Sequence, residues 1–222
     1  GNCLFDLPEL MFGTVSSLDH NLKSRVSFSD FLGENSEKGR YLENVILQSP
    51  KPTFVNGYLE QKANRISSYM DDDAVPSGWK RYIAKRSEPH ELSRTTQEQQ
   101  KGAEKSDITS SLELVESNTK FTGELIFHNL TEIEIGALLW SIDFGQKQGA
   151  CHSLGHGKPF GLGLTTLSAE LSDVQRNDGS ETSSSCATYV GHFVSHMNLV
   201  HPGDSETSWS DSPQLINLLA MA

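Results

Sequence analysis

Between Lys120 and Leu130 the chain alternates, with Phe121, Gly123, Leu125 and Phe127 set against Thr122, Glu124 and Ile126. A period of two predicts a strand with one face buried. Thr131-x-x-Glu134 follows as a capping box, in which each side chain bonds the other residue's backbone N–H. The run IEIGALLWSI then carries Ile133, Ala137 and Trp140 on one side, with Ile135, Leu138, Leu139 and Ile142 beside them. This spacing predicts a helix to about Phe144, stopped by Gly145. After a glycine-rich stretch, 162–171 resumes strand character. The predicted order is strand, capped helix, glycine-rich loop, strand.

The rest of the pattern is shorter in range. A helix is predicted in 4–13, ending at Gly13, and a short strand at Val26–Phe28. Residues 30–40 read as a polar loop and 41–48 as a strand. Ser49-Pro50-Lys51-Pro52 breaks regular structure. Thr188–Leu199 places Tyr189, Val190, Phe193, Val194 and Met197 near helical spacing. Ser212-Pro213 opens a terminal helix with Pro213 at its first position and Leu215, Ile216, Leu218 and Leu219 facing the core. Two stretches lack the apolar content to fix one conformation and are expected to be flexible: a polar insertion at 86–111 and a loop at 172–187.

Composition changes the picture in two ways. With 222 residues the chain can bury a sizeable core, yet only 36% of it is apolar and its mean hydropathy is −0.43, so much of it is loop. The net charge of −11 argues against non-specific binding to duplex DNA. The charge is uneven, however. Lys80, Arg81, Lys85, Arg86, Arg94 and Lys101 make the middle basic, whereas 168–212 holds Arg176 as its one Lys or Arg against seven acidic residues. Cys3, Cys151 and Cys186 form no disulfide framework, which points to a reducing cytoplasm. There is no signal peptide and no apolar run long enough to span a bilayer, so no membrane is expected.

The most concentrated chemistry is GACHSLGHGKPFGLGLTTL at 149–167, where Gly155, Gly157, Gly161 and Gly163 surround Lys158. Glycine admits positive φ and close approach of another backbone or a phosphate, and the lysine ammonium is a point donor for phosphate. The residues alone leave two readings open, a tight connection within the core or an anion contact.

The order of elements and these residues resemble the RAMP superfamily, the backbone proteins of CRISPR effector complexes. The resemblance rests on LLWSIDFG followed by HSLGHGKPFGLGLTTL, on LMFG with SRVSFSDF in 10–31, on QSPKPTFVNGYL at 48–59, and on GWKRY at 78–82, where Gly78 and Trp79 replace the family's first basic residues. It spans residues 10–167 and is to the type III branch, III-D-like in character. It implies an α+β, ferredoxin-like (RNA-recognition-motif-like) core with long loop insertions. The whole of 1–222 is then one partial RAMP-type domain. The family's first strand and helix are not found here, and a chain opening on GNCLFDLPELMFG reads as a piece of a longer polypeptide.

The resemblance also implies partners: a CRISPR guide RNA, its target RNA, other RAMP-family backbone subunits and the large subunit of the effector. The RNA-binding candidates are Lys158 with its glycines, His152 and Phe160 for stacking, the cationic and aromatic mix of Trp79, Lys80, Arg81 and Tyr82, and Arg25. Binding needs no cofactor. Two enzymatic alternatives stand beside it. One is a ribonuclease cutting target RNA with Mg2+ or another divalent ion, for which Asp71, Asp72 and Asp73 are the in-chain candidates; Asp30 lies in the family's "F-D" segment, where a structural role is favoured. The plain reading of the Asp run is a solvated acidic turn before Pro76. The other alternative processes precursor guide RNA with a histidine acid or base, His152 being the nearest candidate.

Other motifs fail on inspection. A phosphate-binding P-loop needs Ser or Thr after GK, and Pro159 follows Lys158. The dinucleotide fingerprint finds Phe160 where its third glycine belongs, and GxSxG is absent. His192 and His196 are four apart, but Phe193 and Val194 fill the middle where a zinc protease has its Glu. His152 and His156 share that spacing among glycines that form no helix. Cys151 and Cys186 could complete a ligand set, but surface or hydrogen-bonded histidines are the preferred reading and no metal is expected.

Overall fold

A computed structural model describes residues 5–15, 20–34, 39, 41–47, 53–78, 81–84, 109–180, 182, 185–201 and 208–222. The architecture is α+β. In chain order the elements are α1 (Leu7–Phe12), β1 (Val26–Phe28), β2 (Leu32–Gly33), β3 (Tyr41–Ile46), β4 (Thr109–Glu113), β5 (Phe121–Thr122), β6 (Leu125–Phe127), α2 (Glu132–Asp143), β7 (His152–Ser153), β8 (Leu164–Thr165), α3 (Cys186–Val200) and α4 (Pro213–Ala220). Among the described residues the strands pair two by two, always antiparallel: β1 with β6, β2 with β5, β3 with β4 and β7 with β8.

The expected strand at 120–130 is divided. Residues 25–34 and 120–128 run as one antiparallel ribbon, with Val26 opposite Phe127 and Gly33 opposite Phe121. Between the two ladders the Phe31 ring lies against Gly123, where a Cβ would fall 2.6 Å from it. Ser29 bridges the change of register between the ladders: its Oγ accepts from the Glu124 N–H at 2.8 Å, while its own N–H donates to the Glu124 carbonyl. Half of the expected burial follows. Leu125 and Phe127 are half-buried, whereas Phe121 is exposed. The polar loop expected at 30–40 contains β2, and the strand expected at 162–171 narrows to Leu164–Thr165, with Thr166–Leu171 following without regular structure.

The helices follow their caps. Asp6 and Glu9 make a full capping box on α1, which Gly13 ends at φ 79°. Thr131 and Glu134 do the same for α2. Its left-handed cap is Phe144 (φ 53°) rather than Gly145, which follows at φ 64°. The core forms on both sides of α2. Met11, Val26 and Leu138 pack with Leu7, Leu125 and Ile142 on one side; Ile135, Leu139 and Tyr189 pack with Ala169, Leu171 and Val174 on the other. The buried face of α2 is therefore the Ile135–Leu138–Leu139 side. Gly136 lets α3 come close: a Cβ there would lie 2.0 Å from the Tyr189 carbonyl oxygen. Trp140, Phe193 and Trp209 extend this contact as an aromatic cluster with ring centroids 5.3 to 6.3 Å apart. In α4 Leu215 is buried and Leu218 and Leu219 half-buried, but Ile216, expected to face the core, is exposed.

Candidate nucleic-acid interface

The glycine-rich stretch is the tip of the β7–β8 hairpin, delivered by the C-terminal end of α2. The Leu154 N–H donates to the Gly163 carbonyl at 2.8 Å and closes the base of the tip. Gly157, left-handed at φ 77°, opens a 3-10 turn over Lys158–Phe160, and Gly161 ends it at φ 78°. Inside the turn, Phe160 and Leu162 donate to Gly157 and Gly161 donates to Lys158.

The glycines do different work. A Cβ on Gly163 would lie 1.8 Å from the Leu154 carbonyl oxygen, and one on Gly157 would lie 2.5 Å from Leu162. Those two are cleared for the chain's own closure. Gly155 (φ 75°) has no atom within 4 Å of the Cβ position and so faces open space. The N–H groups of Gly155, His156, Gly157 and Lys158 make no backbone hydrogen bond among the described residues. Successive free N–H groups around left-handed glycines form a concave donor surface suited to an anion. Lys158 is half-buried and has no ion-pair partner among the described residues.

At the hairpin's base the His152 ring stacks on Phe144, with centroids 4.2 Å apart and planes 19° apart. His152 Nε2 lies 2.8 Å from the Ile142 carbonyl. A carbonyl only accepts, so Nε2 carries the proton and Nδ1 remains as the second ring nitrogen. The Arg81 guanidinium lies over the same Phe144 ring, 5.3 Å from its centroid, a cation–π contact. Arg81 and His152 thus meet through Phe144, a residue that the sequence offered only as the end of a helix. The Ala84 N–H, bonded to the Met221 carbonyl, ties this segment to the C-terminal end. Tyr82 is exposed and Phe160 half-buried. Trp79, Lys80 and most of the 86–111 stretch lie outside the described residues.

Arg25 is used differently. Its guanidinium pairs with Glu134, and it donates to the Leu10 carbonyl at 2.8 Å and to the Asn129 carbonyl. These contacts join α1, β1 and the start of α2, so Arg25 holds the scaffold together. Burial, the largest single influence, pushes the Glu134 carboxyl up; the bonds from Arg25 and Thr131 outweigh it and hold the group below its ordinary value.

The acidic run is also occupied. Asp71 accepts from the Ser68 N–H at 2.7 Å and pairs with Arg65, and Asp73 pairs with Lys62 and Arg65. The Ser68 N–H and then Arg65 hold Asp71 below the usual carboxylate range, and Lys62 and then Arg65 do so for Asp73. Asp72 is exposed, as is Asp30. Among the described residues, no three or more His, Cys, Asp or Glu side chains gather into a group that could hold a metal. No described helix is long and apolar enough to cross a membrane.

Comparison with known protein families finds no match, and no curated protein matches the chain.

Proposed function

We propose that the chain is a guide-RNA-binding backbone subunit of a type III CRISPR ribonucleoprotein effector: a cytoplasmic RAMP-type protein with a ferredoxin-like core that serves antiviral defence. The observation that carries this reading is the hairpin tip, where four adjacent N–H groups and Lys158 have no partner among the described residues and the backbone at Gly155 is open. In this reading the tip holds one or two phosphates of the guide without reading its bases. Arg81 and His152, gathered on Phe144, flank the strand. Base pairing between guide and target supplies sequence recognition, while similar subunits pack alongside and extend the track.

The test is binding of a fluorescent single-stranded RNA across a salt series. Lys158→Ala is expected to weaken binding and to reduce the slope of log affinity against log salt by about 0.7, the value for one phosphate contact on a single strand. An unchanged affinity and slope would overturn the phosphate contact. The same RNA, annealed to its complement with and without Mg2+, is expected to stay intact; cleavage would favour the ribonuclease reading instead.

A further inference from the structure

His192 and His196 lie four residues apart on α3, so their Cβ atoms are about 6 Å apart on one side of the helix. The fold adds a contact that the spacing does not reveal. His192 Nδ1 lies 2.8 Å from Glu132 Oε2, at the first turn of α2. The carboxylate accepts, so Nδ1 carries a proton, and in the neutral imidazole the Nε2 lone pair is then free. The other Glu132 oxygen is held by Arg176, which fixes the carboxylate in place. His196 is half-buried and has no hydrogen-bond or ion-pair partner among the described residues. An open cleft of about 430 Å³, lined by Thr131, Glu132, Ile133, His192 and Ser195, gives solvent access to the His192–Glu132 pair.

A histidine that donates one ring N–H to a carboxylate and keeps its other nitrogen free has the arrangement of a metal ligand with its orienting partner. We propose that His192, through Nε2, and His196 form a two-histidine site for a divalent transition metal of borderline softness such as Zn2+, Ni2+ or Cu2+. Glu132 acts as a positioning residue. Two neutral imidazoles suit these ions and not Mg2+, which prefers oxygen ligands. Glu132 is occupied by His192 and Arg176, and no group of three or more His, Cys, Asp or Glu that could hold a metal occurs among the described residues, so water completes the coordination. His201 lies beyond the last residue of α3, outside the helical spacing that pairs His192 with His196. The site is separate from the hairpin tip and does not depend on RNA binding.

The test uses the tag-free full chain. Calorimetric titration with Zn2+ is expected to show one equivalent bound, and titration with Mg2+ none. Substoichiometric Cu2+ followed by NMR is expected to broaden the ring signals of His192 and His196 first, a readout that needs no substitution. His196→Ala and His192→Ala are each expected to weaken Zn2+ binding at least tenfold. Glu132→Gln is expected to weaken it about tenfold and to abolish the Nδ1–H tautomer signature in the His192 ring nitrogen shifts, with the α-helical signal unchanged. Broadening centred on His152, His156 or the Asp71–Asp73 run would overturn the proposal, as would His196→Ala binding Zn2+ as tightly as the wild type.

Discussion

Helix α2 and the segment 53–78 are ordered by opposite means. α2 packs apolar clusters on both sides, and its buried carboxylate, Glu134, faces Arg25 with the two side chains 9% and 23% exposed. The segment 53–78 buries little beyond Leu59 and Ser67. Bridges between Leu59 and Pro76 and between Lys62 and Arg65 shape it, and Gln61 serves as a polar hub, donating to the Leu59 and Ser67 carbonyls and accepting from the Ser67 N–H. Its ion pairs are open to water, and Ile66 and Met70 stand 80% and 90% exposed. A carboxylate–cation pair therefore means different things in the two places. In α2 it offsets, together with the Thr131 bonds, a desolvation cost that water cannot meet; in 53–78 water can replace either partner.

The sharpest way to break this contrast is Glu134→Gln. It leaves Arg25 with two carbonyls and no counter-charge, in a setting largely screened from water. Loss of one partner from a buried pair costs about 3 kcal/mol at the lower end of the usual range, which applies here because Arg25 keeps some exposure. Urea denaturation should show the loss as a lower midpoint at unchanged slope. The pH dependence gives a second handle. The folded-state pKa of Glu134 lies below its ordinary 4.5, so its contribution is complete above that pH and fades as the pH falls through the lower folded value. The difference between wild type and Glu134→Gln should therefore shrink below pH 4.5. A constant difference down to the acid transition would remove the ion pair as its cause.

Gly136→Ala comes next. In an open helix this change gains about 1 kcal/mol from propensity. Here the new methyl meets the Tyr189 carbonyl oxygen and the Phe193 Cβ, backbone and near-backbone atoms that cannot turn aside. α2 and α3 must separate, at about 2 kcal/mol net. A stabilised variant would show that the helices approach less closely than described.

The two regions also differ in how much the sequence revealed. The capping box at Thr131–Glu134, the buried run after it and Pro213 at the head of α4 are local signals, and each lies where the pattern put it. Contacts between distant residues carried no such mark. Arg25 was legible as a cation, but its partner lies 109 residues away, so its work in the scaffold was hidden. The alternation in 120–130 was legible, but not its interruption, which depends on where the Phe31 ring falls. The glycine cluster was legible as a loop, with a tight connection and an anion contact both left open. Which glycines serve the turn and which face outward depends on the Leu154 carbonyl and the Leu162 side chain reaching Gly163 and Gly157. The Phe144 platform was missed because its αL cap conformation, on a non-glycine residue, has no sequence signature.

The smallest expected effect lies in 53–78. Asp73→Asn removes the carboxylate shared by Lys62 and Arg65, leaving Arg65 paired with Asp71 and Lys62 with water. Exposed pairs of this kind contribute little, and salt screens what remains. The thermal midpoint should not move measurably, in low salt or high. What should change is local: with the Lys62–Arg65 turn held by fewer contacts, amide exchange from Lys62 to Asp73 should quicken while the amides of α2 keep their protection. The same local loosening should appear in the wild type only when the pH falls well below 3.8, the ordinary Asp value, because both Asp71 and Asp73 titrate beneath it. A fall of several degrees in the midpoint of Asp73→Asn would mean that the acidic run supports the core, and the distinction between the two regions would then fail.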